Sequence, residues 1–139
     1  DDQGYTYIDC VNNVSHLGHC HPGLVRIMQK QIATLNTNTR YLHEHLIDYA
    51  EKLTALLPKK LKVCYFTNSG SEANDFAINL ARNYTRKHNF LSLRNGYHGL
   101  VGNAGSVTNM PAWSGNVLRG NGHEKLAWPS KYKGNFKTV

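Results

Sequence analysis

Between an apolar stretch, Val63 to Phe66, and a segment of helical periodicity lies Thr67-Asn68-Ser69-Gly70-Ser71-Glu72-Ala73-Asn74. A strand that hands over to a helix through so small-residue a turn aims unpaired backbone N–H groups and the positive end of a helix dipole at one point. A phosphate dianion suits that point. Gly70 permits close backbone approach, and Ser71 adds a hydroxyl to its N–H, as in other phosphate cradles. Ser and Gly are also common in plain strand-to-helix turns, so the turn alone decides nothing. Downstream, Tyr97-His98-Gly99 offers a flat ring for whatever heteroaromatic carries the phosphate, worth roughly 0.5–1.5 kcal/mol beyond burial. It follows the next apolar stretch, Phe90 to Leu93, and open α/β sheets bind ligands at the carboxyl ends of their strands. Phosphate turn and ring together point to pyridoxal 5'-phosphate.

Two other clusters carry chemistry-bearing side chains. His16, His19, Cys20 and His21 invite a zinc reading, but three consecutive residues converge poorly on one ion, and no CxxC or HxxxH pair accompanies them. Pro22 and Gly23 instead imply a helix-entry turn in which a histidine hydrogen-bonds backbone, so no metal is assigned. Arg40, beside Tyr41 and His43, is a candidate anion hook, because a guanidinium holds carboxylate or phosphate through two parallel bonds. An isolated arginine is more often a surface residue.

The elements that must position these groups follow from periodicity. Tyr5, Tyr7 and Ile8 alternate after a turn signal, which predicts a short strand over 5–9. Pro22 suits a first helical position, and Leu24, Val25, Ile27, Met28, Ile32 and Leu35 recur at helical spacing. A second amphipathic helix carries Leu46, Ile47, Ala50, Leu53, Leu56 and Leu57 and ends before Pro58. Ser69 and Glu72 stand three apart, as in a capping box, at the head of a third helix with Ala73, Phe76, Ala77, Leu80, Ala81 and Tyr84 inward. Strands at 63–66 and 90–93 around that helix give the βαβ rhythm of a parallel sheet with helix cover. Residues 96–122 are glycine-rich without periodicity and read as a long loop.

The chain has 139 residues with 40% apolar content, enough for a core. It starts at Asp1 and stops at Val139 without a stop signal, so it reads as part of a longer protein. A formal charge of +7 raises the question of nucleic acid. The cations are dispersed, several at helix ends where they complement the dipole, and no basic motif is interleaved with aromatics. No nucleic-acid partner is expected, nor a membrane, since no apolar run reaches spanning length. Three cysteines, one inside an apolar stretch, fit a reducing compartment better than a disulfide framework.

Four motifs then occur in order: Asp2-Gln3-Gly4 with Tyr7-Ile8-Asp9, Gly18-His19-Cys20-His21-Pro22, Asn68-Ser69-Gly70-Ser71-Glu72-Ala73-Asn74, and Tyr97-His98-Gly99. On these the chain resembles the N-terminal part of the class III pyridoxal-phosphate-dependent aminotransferases, over residues 1 to about 100. Asp9 to Val14, Leu35 to His43 and Val63 to Phe66 look most like phospho-lyases acting on ethanolamine phosphate or phosphohydroxylysine. Leu100 to Asn109 looks more like the alanine–glyoxylate aminotransferase 2 type.

The resemblance implies an α/β fold: a partial fold-type I transferase, with an N-terminal segment (1–45) bordering the active site and the start of the large-domain, mainly parallel sheet with helices (46–139). It implies that Gly70 and Ser71 bind the cofactor phosphate, and that Tyr97 or His98 covers the pyridine ring. Asn12 and Arg40 fall on the substrate side. The family's cofactor-bearing lysine and ring-nitrogen aspartate lie beyond this stretch, so no catalytic residue is assigned and the stretch alone is expected to be inactive. The implied activity is amino transfer from an amino acid or amine to a 2-oxo acid such as pyruvate or glyoxylate, in a homodimer, mitochondrial or cytoplasmic. The alternatives are a phospho-lyase of the same architecture and a non-catalytic small-molecule-binding piece.

Overall fold

The computed structural model describes residues 1–10, 15–114 and 122–129. The chain forms two compact units, Asp1–Leu53 and Thr54–Val139.

In the first unit, the Asp1 carboxylate accepts the N–H groups of Gln3 and Tyr5 at 3.0 and 2.9 Å, closing a turn around Gly4. The strand expected over 5–9 does not form. These residues have no ladder partner among the described residues, and Ile8 stands fully out. Helix α1 (Pro22–Thr34) begins as its sequence requires, with Pro22 in the first turn and the His21 ring accepting the Leu24 N–H at 3.3 Å. That histidine does the work of a Ser or Asp cap. Helix α2 (Glu44–Ala55) starts in the same unit. Gln31 of α1 meets the His43 ring at 3.0 Å and returns to the Leu35 carbonyl at 2.7 Å. Neither helix has a buried residue.

The second unit is built on α3 (Gly70–Thr85). Ser69 accepts the Glu72 N–H at 3.2 Å, and the Glu72 carboxylate accepts the Asn68 N–H at 2.7 Å. This is a capping box whose return bond lands one residue early. The helix ends on Arg86, in the left-handed region at φ 57°, with its N–H on the Arg82 carbonyl. Strand β1 (Phe90–Leu93) pairs in parallel with β2 (His123–Leu126), Phe90 opposite His123 and Leu93 opposite Leu126. Two corrections follow. The expected strand at 63–66 forms no ladder among the described residues, and β1 pairs in parallel with β2 instead. The Tyr65 ring stands edge-on to Phe76 at 4.9 Å. The expected loop over 96–122 contains α4 (Gly102–Val107) and α5 (Pro111–Ser114).

Helix α4 packs on α3 and touches β1. Between them sits the small apolar centre, Ile78, Ala104 and Val107, with Ser92, Ser106, Thr108 and Asn109 buried beside it. The α3–α4 seam is polar. Asp75 accepts the Asn103 backbone and side-chain N–H groups at 2.6 and 2.9 Å, Asn103 also reaches Asn79 at 3.2 Å, and Arg82 donates to Asn103. Gly102, at φ 48°, lies against Asp75 where a Cβ would come within 2.5 Å of Oδ1. No helix among the described residues is long and apolar enough to cross a membrane.

Candidate functional site

The N-terminus of α3 opens into a cleft of about 360 Å³ lined by Ser69, Gly70, Ser71, Asn74, Tyr97, His98 and Gly99. Gly70, Ser71, Tyr97 and His98, the four positions that sequence reasoning put around a phosphate and its ring, are therefore brought to one place across a chain separation of more than twenty residues. A larger cleft of about 440 Å³ lies in the first unit, lined by Gln31, Leu35, Tyr41 and Tyr49 with His43 and His45 at the start of α2.

The donors are set by α3 itself. The first N–H groups of a helix have no intrahelical acceptor, and here those of Gly70 and Ser71 head a helix of 16 residues. Nothing lies within 4 Å of where a Cβ on Gly70 would point, so the backbone there is open to a ligand. Ser71 Oγ accepts the Leu100 N–H at 3.3 Å, which leaves its own proton to donate. Glu72 puts a negative charge in the same turn, but its carboxylate is committed to the Asn68 N–H.

The facing wall is the turn Tyr97 to Leu100. Asn74, one turn along α3 from Ser71, donates to the His98 carbonyl at 2.8 Å. Gly99 adopts φ +118°, and a Cβ there would come within 2.6–2.8 Å of Ser71 atoms. Only glycine allows both that backbone conformation and the close approach. From behind, the fully buried Thr108 accepts the His98 N–H at 2.9 Å and donates to the Gly99 carbonyl at 2.6 Å. The two aromatic candidates then differ. Tyr97 is half exposed, its ring meeting Trp113 edge-on at 6.2 Å. His98 turns inward: its Nε2 is buried without a partner among the described residues and lies 2.8 Å from where a Cβ on Gly96 would be.

Arg40 belongs to the first unit, where its Nε and its backbone N–H both donate to Asn38 Oδ1, at 3.1 and 3.0 Å. Asn12 lies outside the described residues. Sequence reasoning missed Asn74 and Thr108. Asn74 had a signal, since residues three apart on a helix share a face with Ser71; Thr108 had none. In the histidine cluster, His21 caps α1 and the Cys20 thiol meets the His19 ring at 3.2 Å. Among the described residues no three His, Cys, Asp or Glu could hold a metal ion.

The cleft's own features suit the phosphate and ring of pyridoxal phosphate. Free N–H groups and a hydroxyl converge at a helix N-terminus, a glycine removes the Cβ that would fill the wall, and a half-exposed aromatic stands at the mouth. The chain is similar to several known proteins. The sequence model described as Aminotransferase class-III matches residues 1–121. An alanine–glyoxylate aminotransferase 2-like protein of Drosophila melanogaster is 52% identical over 99 residues, 71% of this chain and 20% of that protein. An ethanolamine-phosphate phospho-lyase homolog of Caenorhabditis elegans is 39% identical over 123 residues, 81% of this chain and 26% of that protein. A thermostable (S)-enantioselective omega-transaminase of Thermomicrobium roseum superposes with a TM-score of 0.74 at 31% identity, over 84% of this chain and 28% of that one. The chain thus spans between a fifth and three tenths of the proteins it matches.

Proposed function

The chain belongs to the class-III aminotransferase family, and from that premise we propose that it is part of a pyridoxal-phosphate-dependent transaminase, moving an amino group from an amino acid or amine to a 2-oxo acid such as pyruvate or glyoxylate. The observation that carries the reading is the convergence of Gly70, Ser71 and Tyr97 on one cleft at the head of α3. Gly70 and Ser71 hold the phosphate through their N–H groups and the Ser71 hydroxyl. Tyr97, the half-exposed aromatic of the two, covers the ring, while His98 supports the turn from inside. When bound, the cofactor supplies an electron sink for breaking a bond at the amine-bearing carbon; these residues bind and orient it. Arg40 is the proposed carboxylate hook on the substrate side, and Asn12 a second substrate-side residue. Residues 1–45 border the active site, 46–139 begin the large domain, and the working enzyme is a homodimer. No lysine in this stretch occupies the family's cofactor-bearing context, so residues 1–139 alone are inactive.

A second reading is a phospho-lyase on ethanolamine phosphate or phosphohydroxylysine. It is favoured by Asp9 to Val14, Leu35 to His43 and Val63 to Phe66, and by the phospho-lyase name borne by one of the relatives. Assay of the full-length protein separates the two: alanine formation from pyruvate with an amine donor supports amino transfer, while phosphate release from ethanolamine phosphate without a 2-oxo acid supports elimination. Neither activity, from protein that has bound cofactor, would overturn both.

A further inference from the structure

We propose that Thr108 is a positioning residue for the cofactor cleft, its hydroxyl fixing the Tyr97–Leu100 turn against α3 and so setting where the Tyr97 ring stands. The inference rests on the reading of that cleft as a pyridoxal-phosphate site.

Two sets of bonds clamp the turn. On the α3 side, Asn74 donates to the His98 carbonyl at 2.8 Å and Ser71 Oγ accepts the Leu100 N–H at 3.3 Å. On the opposite side a single side chain does the work. Thr108 is 0% exposed, and its Oγ1 takes the His98 N–H at 2.9 Å while donating to the Gly99 carbonyl at 2.6 Å, with the Ala104 carbonyl further off at 3.2 Å. It therefore holds the backbone on both sides of the peptide that joins His98 to Gly99. The next residue anchors Thr108 in turn. Asn109, also buried, donates its side-chain amide to Ser92 Oγ and the Leu93 carbonyl at 2.7 and 3.2 Å, and its N–H to the Gly96 carbonyl at 2.8 Å. The end of α4 is thus registered to β1 and to the cleft turn together.

Removing the hydroxyl leaves a backbone donor and a backbone acceptor in a dry place with no partner, and a buried unsatisfied group is costly enough to move the turn that carries it. Tyr97 leads straight into that turn. Ser71 lies on its far side, so close to Gly99 that a Cβ would not fit between them. A turn released from Thr108 changes its seat against Ser71, and the Tyr97 ring shifts with it.

The test uses the full-length protein with Thr108→Val, which keeps the shape and loses the hydroxyl, and Thr108→Ser, which keeps the hydroxyl. Three readouts are taken: pyridoxal-phosphate affinity of the apoprotein, visible circular dichroism of the bound chromophore, and amide exchange of His98 to Leu100 in the apoprotein. Thr108→Val is expected to bind cofactor about tenfold more weakly, to alter the visible signal, and to exchange faster at those amides, with Thr108→Ser near wild type in all three. If Thr108→Val does not fold, Thr108→Cys, close in shape and only a weak donor, carries the same expectation. A variant that melts earlier but binds cofactor with wild-type affinity and signal overturns the proposal and leaves Thr108 a packing residue. Wild-type protein that binds no pyridoxal phosphate at all would instead overturn the reading of the cleft, and the proposal with it.

Discussion

Gly99 and Ser71 meet so closely that no side chain fits between them: a Cβ on Gly99 would lie 2.6 Å from Ser71 Oγ and 2.7 Å from its Cα. With φ at +118°, the backbone at 99 is also closed to ordinary L residues. Gly99→Ala is expected to destabilise the fold by more than about 2 kcal/mol, strain and collision acting together. Urea unfolding of the full-length protein measures it, and a loss under about 0.5 kcal/mol would show that the two walls separate freely.

Gly70 and Ser71, adjacent in sequence, should both matter to cofactor affinity if the cleft binds phosphate. Ser71→Ala removes a hydroxyl donor to a charged ligand and is expected to weaken pyridoxal-phosphate binding by roughly 1–2 kcal/mol. Gly70→Ala meets open space, so apoprotein stability should hold or rise by about 0.5–1 kcal/mol, the helix gain of alanine over glycine. Its methyl nonetheless enters the cleft wall, so cofactor affinity should fall. Titration of both apoproteins, beside their melting curves, separates binding from folding. Unchanged affinity in both would remove the phosphate from this corner.

The α3–α4 seam depends on Asn103, which bonds Asp75, Asn79 and Arg82 at once. Asn103→Leu leaves Asp75 and Arg82 short of partners beside a helix interface, and a cost of about 1–3 kcal/mol is expected. Chemical denaturation checks the value, and retention of wild-type stability would mean that the network adds nothing to the packing of α4.

His123, opposite Phe90 in the parallel pair, is held below the ordinary histidine value of 6.5, by burial first and then by the Arg82 charge. The unfolded chain therefore takes up this proton before the folded one does. Stability from this group is intact above about pH 6.5 and declines as pH falls from there through the lower folded-state value. Wild-type protein should lose more stability between pH 7.5 and pH 5 than His123→Gln does, in paired unfolding curves. Parallel curves for the two would contradict it.

The three long helices were legible because their apolar residues recur at helical spacing and their starts carry caps: Pro22 after His21, and Ser69 with Glu72. The two short helices were not. Gly102-Asn103-Ala104-Gly105-Ser106 contains weak helix formers and no apolar stripe; it is helical because Asp75 holds its first turn and α3 covers it. Strand β2 reads His-Glu-Lys-Leu, without a half-buried alternation, and owes its conformation to β1. Val63 to Phe66 fails in the other direction, β-forming in composition yet without a ladder partner among the described residues. The cleft was legible at Gly70, Ser71, Tyr97 and His98 because their types announce their chemistry. Thr108 was not, because a lone threonine in a glycine-rich stretch looks like any loop residue until the distant turn it holds is seen.

Ser71 and Asp75 are separated by one helical turn and so point from the same side of α3. One reaches the anion corner and the other secures the helix that bears Thr108. Phase along α3 is therefore fixed at both points: adding or deleting one residue between positions 71 and 75 would rotate one grip by about 100° relative to the other. This segment should accept exchanges of side chain far more readily than any change in its length.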